Sequence, residues 1–269
     1  MEIGISNIAW DDVNEELVLD YLKNNQVQNI EVAPAKIVKN VESFKEKEVM
    51  RYKNKMNNEG FNVCSMQALL YGGPKGNIFG DNSEREDLKL HLFKIIEMAA
   101  ILNAENLVFG SPKNRIKGCL NKAESFRVAE DFFSPIAEYA SQNGCNFCIE
   151  NNPEYYGADF LVTTSELVEF IRYVNHKGLK AHFDTAGMYL ADEEIEESIL
   201  QNDSMITHFH ISQKDLNVIC EGEINHKKVF KALKSVGYDK KVIVEMKKTE
   251  SPVDDIKKAI DYVKKVYSV

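Results

Sequence analysis

Glu150, Asp184, His210 and Glu245 each close a short apolar run that reads as a β-strand. The runs are Asn146-Phe147-Cys148-Ile149-Glu150, Leu179-Lys180-Ala181-His182-Phe183-Asp184, Ile206-Thr207-His208-Phe209-His210 and Lys241-Val242-Ile243-Val244-Glu245. Successive runs stand about 30 residues apart, the length of one strand–helix unit. If these strands are consecutive and parallel, three carboxylates and one imidazole converge at one end of one sheet. Crowded carboxylates repel one another unless a cation stands between them. The set therefore reads as a metal site with acid/base groups built in. Hard oxygen donors plus an imidazole suit one divalent ion, Mn²⁺ or Mg²⁺ first, with Co²⁺ or Zn²⁺ also compatible.

The elements that must position these residues alternate regularly. Strand-like runs fall at 3–8, 29–32, 61–67, 106–109, 146–150, 179–184, 206–211 and 241–246. Helical patterns fall between and after them at 13–23, 43–58, 84–103, 121–143, 164–175, 192–201, 225–235 and 252–267. In the third, Leu88, Leu92, Ile95, Ile96 and Ala99 recur at the spacing of one helix face. Eight β/α alternations predict a parallel sheet with crossover helices. A doubly wound nucleotide fold opens with a Gly-rich turn, whereas the first turn here, Asn7-Ile8-Ala9-Trp10-Asp11, has no glycine. The expected fold is thus α/β, a single (β/α)8 TIM barrel occupying residues 1–269 as one domain. In such a barrel alternate strand residues face inward and active sites form at the C-terminal strand ends. His182 then shares a face with Asp184, His208 with His210, and Lys247 with Glu245.

Composition narrows the function. The chain of 269 residues carries 42 acidic and 33 basic side chains, a formal charge of −9. Duplex binding needs a cationic surface to neutralise phosphates, so no nucleic-acid partner is expected. No run approaches the ~20 apolar residues that span a bilayer, and residues 1–6 do not read as a signal peptide. No membrane association and a cytoplasmic location are expected. Five cysteines without a framework pattern fit a reducing compartment. Cys145 and Cys148 have C-x-x-C spacing, but positions i and i+3 of a strand point to opposite faces.

Several segments then resemble a known family. These are Ile5-Ser6-Asn7-Ile8-Ala9-Trp10-Asp11, Ile30-Glu31-Val32-Ala33-Pro34, the stretch from Ser65 to Gly72, Val108-Phe109-Gly110-Ser111-Pro112 and Glu150-Asn151-Asn152-Pro153. The chain resembles the xylose isomerase-like TIM-barrel superfamily, sugar phosphate isomerase/epimerase subgroup, which includes the AP endonuclease family 2 relatives. That resemblance implies one divalent metal held by Glu150, Asp184, His210 and Glu245. It also implies that Glu150 and Glu245 act as a catalytic pair, one removing a proton beside a carbonyl and the other returning one. The implied enzyme is a metal-dependent sugar or sugar-phosphate isomerase or epimerase, with a small sugar as partner and homo-oligomerisation allowed. The rivals are metal-dependent hydrolase or lyase chemistry of the endonuclease IV kind, and a non-catalytic sugar-binding barrel. The chain departs from the epimerase pattern at Gly187, where a histidine usually stands, and it lacks the substrate-binding arginine after the seventh strand.

Supporting residues follow from the same frame. Glu31, Gln67, Arg115, Asn152, His182 and Lys247 are expected to bind substrate. Glu31 and Gln67 end the second and third strands. Arg115 follows the fourth, where its forked guanidinium would suit a phosphate or carboxylate. Asn152 follows Glu150, and Lys247 follows Glu245. His182 and His208 point inward one layer below the metal, as hydrogen-bonding neighbours.

Overall fold

The computed structural model describes residues 1–267. Eight parallel strands follow one another around a closed barrel in chain order. They are β1 (Glu2–Ser6), β2 (Asn29–Val32), β3 (Asn62–Met66), β4 (Asn106–Phe109), β5 (Asn146–Glu150), β6 (Leu179–Asp184), β7 (Ile206–Ser212) and β8 (Lys241–Glu245). Pairing of β1 with β8, with Gly4 opposite Ile243, closes the ring. The helices are α1 (Glu15–Asn24), α2 (Glu46–Glu59), α3 (Asn82–Leu102), α4 (Lys122–Gln142), α5 (Thr164–Val174), α6 (Thr185–Leu190), α7 (Ile195–Gln201), α8 (His226–Ser235) and α9 (Pro252–Tyr267). The (β/α)8 barrel read from the strand spacing is the observed fold.

Local chemistry sets the helix ends. The Asp81 side chain accepts the Glu84 N–H at the start of α3, and Asn121 forms a capping box with Glu124 at the start of α4. Helix α2 stops at Gly60, whose φ of 90° lies in the left-handed region. Both strand faces are buried, as in parallel sheets covered by helices. The outward rings of Phe109 and Phe147 meet Phe133 of α4 at centroid distances of 5.4 and 6.0 Å. Inward positions instead carry polar groups, among them Glu31, Ser65, His182, His208 and His210, all at most 3% exposed.

Several bounds differ from the sequence reading, and three of the differences lie at the site end of the barrel. The first strand ends at Ser6, where a 3₁₀ turn over Asn7–Ala9 begins. The seventh runs one residue further, to Ser212. A short helix, α6, springs directly from Asp184, which caps it. All five cysteines are free, Cys145 and Cys148 both buried, and burial raises the Cys145 thiol to about 11. Among the described residues no helix is long and apolar enough to cross a membrane.

Candidate metal and proton-transfer site

Strands β5 to β8 deliver their terminal residues to one rim. Register sets Glu150 beside His182, His182 beside His208, Asp184 beside His210 and Ser212 beside Glu245. Above them opens a cavity of about 660 Å³, lined in part by Gln67, Glu150, Asn152, Asp184, Glu245 and Lys247. At its floor Glu150, His210 and Glu245 each offer a ligand atom within 4.8 Å of the others. Three of the four expected ligands are thus brought together. Asp184 lines the same cavity beside them, but its carboxylate is engaged. It accepts the Ser212 hydroxyl and the Ala186 N–H, the latter at 2.9 Å.

His210 is held between two carboxylates. Its Nδ1 lies 3.3 Å from Glu245 Oε2 and its Nε2 lies 2.8 Å from Glu31 Oε1. A carboxylate behind a ligating imidazole fixes the ring and leaves the other nitrogen to face the ion. Burial alone would lower the His210 pKa, but Glu31 and Glu245 raise it well above its ordinary value. Burial likewise pushes Glu31 up, and the adjoining His210 imidazolium reverses this and holds it below the ordinary carboxylate range. Burial pushes the Glu150 pKa up, and the charges of Asp184 and Glu245 push it further. Asp184 is raised for the same reasons, burial first and then Glu245. Carboxylates driven toward protonation by one another are the situation a bound cation relieves.

The donor set fits such an ion. Both His210 nitrogens are buried without an aligned hydrogen bond among the described residues, and hard carboxylate oxygens stand beside them. Asn152 donates its Nδ2 to Glu150 Oε2 at 3.2 Å, which fixes that carboxylate. Gly110 lies against the same carboxylate, in the space a Cβ would need.

The expected substrate contacts divide into two groups. Gln67, Asn152 and Lys247 line the cavity, and Gln67 also donates to Ser6 Oγ at 2.5 Å. Glu31, His182 and Arg115 are fully buried and are not among its lining residues. The pleat places Glu31 and His182 below the floor. His182 Nε2 is 3.8 Å from Glu150 Oε1, and its Nδ1 is 3.1 Å from Nδ1 of His208. Burial drives the His208 pKa down to about 3, so its ring is neutral. The Arg115 guanidinium is fully buried, with no hydrogen-bond partner among the described residues. Burial lowers it to about 10 while the charge of Glu150 works the other way. Ser212 and Asp215 were missed by sequence reasoning. Ser212 holds Asp184 from the next strand, and Asp215 sits in the cavity wall with a left-handed φ of 58°. A serine at the end of a strand carries no local signal of such a bond.

A family model described as the xylose isomerase-like TIM barrel matches residues 19–266. The chain belongs to that family. D-psicose 3-epimerase of Ruminiclostridium cellulolyticum is 30% identical over 112 residues, covering 41% of this chain and 37% of that relative. D-psicose 3-epimerase of Agrobacterium fabrum is 27% identical over 128 residues, 47% of this chain and 43% of its own. The matched segments therefore span less than half the length of these relatives. A crystal structure of D-psicose 3-epimerase in the presence of D-fructose superposes over 100% of both chains with a TM-score of 0.82 at 18% identity, a likeness of fold.

Proposed function

We propose that the chain is a divalent-metal-dependent sugar epimerase that inverts a carbon next to a carbonyl of a small, unphosphorylated ketose. The observation that carries this reading is the convergence of Glu150, His210 and Glu245 donor atoms within 4.8 Å at the cavity floor. The partial likeness to D-psicose 3-epimerases supports the substrate class. Glu150, His210 and Glu245 would hold the ion, with Asp184 adjoining. When bound, a divalent ion supplies Lewis acidity that polarises a carbonyl and screens the carboxylates. Mn²⁺ or Mg²⁺ suits the oxygen-rich donor set first, with Co²⁺ or Zn²⁺ also compatible.

Glu150 and Glu245 carry the protons. One carboxylate oxygen takes the proton from the carbon beside the carbonyl, and the electron pair passes to the carbonyl oxygen as an enediolate. The other glutamate delivers its proton to the opposite face of the same carbon, and the carbonyl re-forms. A raised carboxyl pKa suits this exchange, because general acid–base transfer works best near the operating pH, and burial moves Glu150 that way. Asn152 orients Glu150, Glu31 orients His210, and Gln67 and Lys247 meet substrate hydroxyls. The named lining carries Glu150, Asp184, Asp215 and Glu245 against Lys247, so even a dication leaves the cavity short of positive charge for a phosphate.

The test is epimer formation from a panel of free ketoses by the Mn²⁺-loaded protein. Glu150→Gln and Glu245→Gln should each lower the rate by about 10²–10⁴-fold. Epimerisation at the wild-type rate in both variants contradicts the assignment.

A further inference from the structure

His91 of α3 is a buried titratable side chain that the proposed reaction does not use. It is 2% exposed and holds two loops at once. Its Nδ1 lies 2.7 Å from Glu42 Oε1, in the loop between β2 and α2. Its Nε2 lies 2.9 Å from the Leu69 carbonyl oxygen, in the loop between β3 and α3. We propose that His91 is a positioning residue for the substrate cavity, acting as an imidazolium clamped between these two acceptors. The link to substrate rests on the epimerase reading of that cavity; the clamp itself does not.

The protons follow from the partners. A carbonyl oxygen only accepts, and so does an ionised carboxylate. A neutral imidazole carries one N–H and serves one of them; serving both requires the doubly protonated ring. Glu42 is ionised in this arrangement, because the bond from His91 holds its carboxyl below the ordinary range. Bonds between two charged groups are the strong class. Glu42 is the one ion-pair partner of His91 among the described residues. On α3 itself Asp87 and Lys94 stand one turn to either side, and Lys94 is paired with Glu97 at 2.7 Å. From the β3–α3 loop the ring also meets the Gly73 backbone. A Cβ there would stand 2.7 Å from His91 Cε1, so glycine lets the chain lie against the imidazole.

Leu69 directly follows two residues of the cavity wall, Gln67 and Ala68. Ala68 has a left-handed φ of 53°, which a non-glycine residue keeps only where its surroundings hold it. Beyond it the backbone closes on itself, the Tyr71 N–H donating to the Ala68 carbonyl and the Gly73 N–H to that of Leu70. Leu69 and Leu70 bury their side chains in the core. His91 adds the polar tie that fixes the Leu69 peptide, and through it the Ala68 turn and the Gln67 side chain. Loss of one ring proton releases either Leu69 or Glu42.

The test separates charge from packing with wild type, Glu42→Gln and His91→Leu. In wild type at neutral pH, ¹⁵N NMR should show both His91 ring nitrogens protonated. A glutamine at 42 can donate to a neutral ring, so in Glu42→Gln the ring should carry one proton while both contacts remain. With rising pH, protection of the Tyr71 and Gly73 amides, corrected for intrinsic exchange, should fall about 10-fold in wild type, the weight of one charge-assisted bond, and stay level in Glu42→Gln. The NMR signals of the Gln67 side-chain amide should move in wild type at alkaline pH and in His91→Leu, and stay in place in Glu42→Gln. On a ketose that turns over, His91→Leu should raise KM about 10-fold and leave kcat nearly unchanged, as expected when binding rather than proton transfer is lost. A singly protonated wild-type ring, or the same pH response in wild type and Glu42→Gln, overturns the clamp, and neither arm needs the leucine variant to fold. Gln67 signals that stay in place in alkaline wild type overturn the positioning role. A clamp and a Gln67 response as expected, in a chain that turns over no ketose, uphold this proposal and sink the epimerase reading alone.

Discussion

Glu31→Gln keeps the shape of a buried side chain and removes its charge. Glu31 stands 2.8 Å from His210 Nε2. At that separation and an effective dielectric constant of ~20, the gross attraction to a protonated imidazole is ~6 kcal/mol. Desolvation offsets part of it, and removing one member of a buried pair costs a net ~3–5 kcal/mol. At ~2 cal/mol/K per residue, the unfolding entropy of a chain this long is ~0.6 kcal/mol/K, so the midpoint should fall by ~5–9 °C. The sign with pH follows from the lowered Glu31 pKa. Its contribution is fully present above the ordinary carboxylate range, at ~4.3 and higher, and is lost as pH falls through the folded value. The deficit of the variant should therefore be full at neutral pH and shrink in acid. Without its carboxylate, His210 loses orientation, and Mn²⁺ affinity should drop about 10–100-fold. Thermal unfolding with chelator present and calorimetric titration with Mn²⁺ measure the two effects. A midpoint within ~1 °C of wild type together with unchanged affinity would refute the positioning role.

Other perturbations test neighbouring parts of the account. Gly110→Ala introduces a Cβ where the Glu150 carboxylate lies, and should reduce kcat by at least ~10-fold with little change in unfolding midpoint, as expected for a displaced reacting group; steady-state kinetics on the ketose that turns over fastest reads this. His226 pairs with the Tyr267 hydroxyl at 2.9 Å, and burial depresses its pKa to about 4. Its neutral form then stabilises the fold fully above ~6.5, and ~3 kcal/mol should be lost as pH falls from there toward the folded value; urea unfolding across that range, compared with His226→Phe, should show a flatter dependence in the variant. Adding a phosphate to an accepted ketose should raise KM by at least ~10-fold, an order-of-magnitude estimate from charge repulsion in a confined site; an equal or lower KM would contradict the reading of an unphosphorylated substrate.

Much of this molecule is legible in its sequence because strands and helices have different periods. The four runs that carry Glu150, Asp184, His210 and Glu245 follow one another along the chain, and their order alone places them on neighbouring strands. Alternation tells which face a residue takes, but not its depth. Glu31 and His182 face the interior as expected, yet lie below the cavity floor, and only the barrel's stagger decides that. Arg115 reads as a loop cation, and its complete burial depends on how the loops after β3, β4 and β5 pack together. Helix α6 is only Thr185–Leu190, too short for a periodic signal, and contains Gly187, a weak helix former. Its start is set by the Asp184 carboxylate accepting the Ala186 N–H. The same bond, with that from Ser212, engages the Asp184 carboxylate beside the Glu150–His210–Glu245 donor cluster.

The central claim is that Glu150 and Glu245 act from opposite faces of one carbon. The most direct measurement is deuterium exchange from D₂O into each purified epimer separately, followed by NMR, with the Mn²⁺-loaded Glu150→Gln and Glu245→Gln chains. Each variant should retain exchange into one epimer, through its remaining carboxylate, and lose it by about 10²–10⁴-fold in the other. The two variants should show opposite preferences, and neither should interconvert the epimers at an appreciable rate. Exchange into both epimers by either variant, or the same preference in both, would contradict the two-glutamate account.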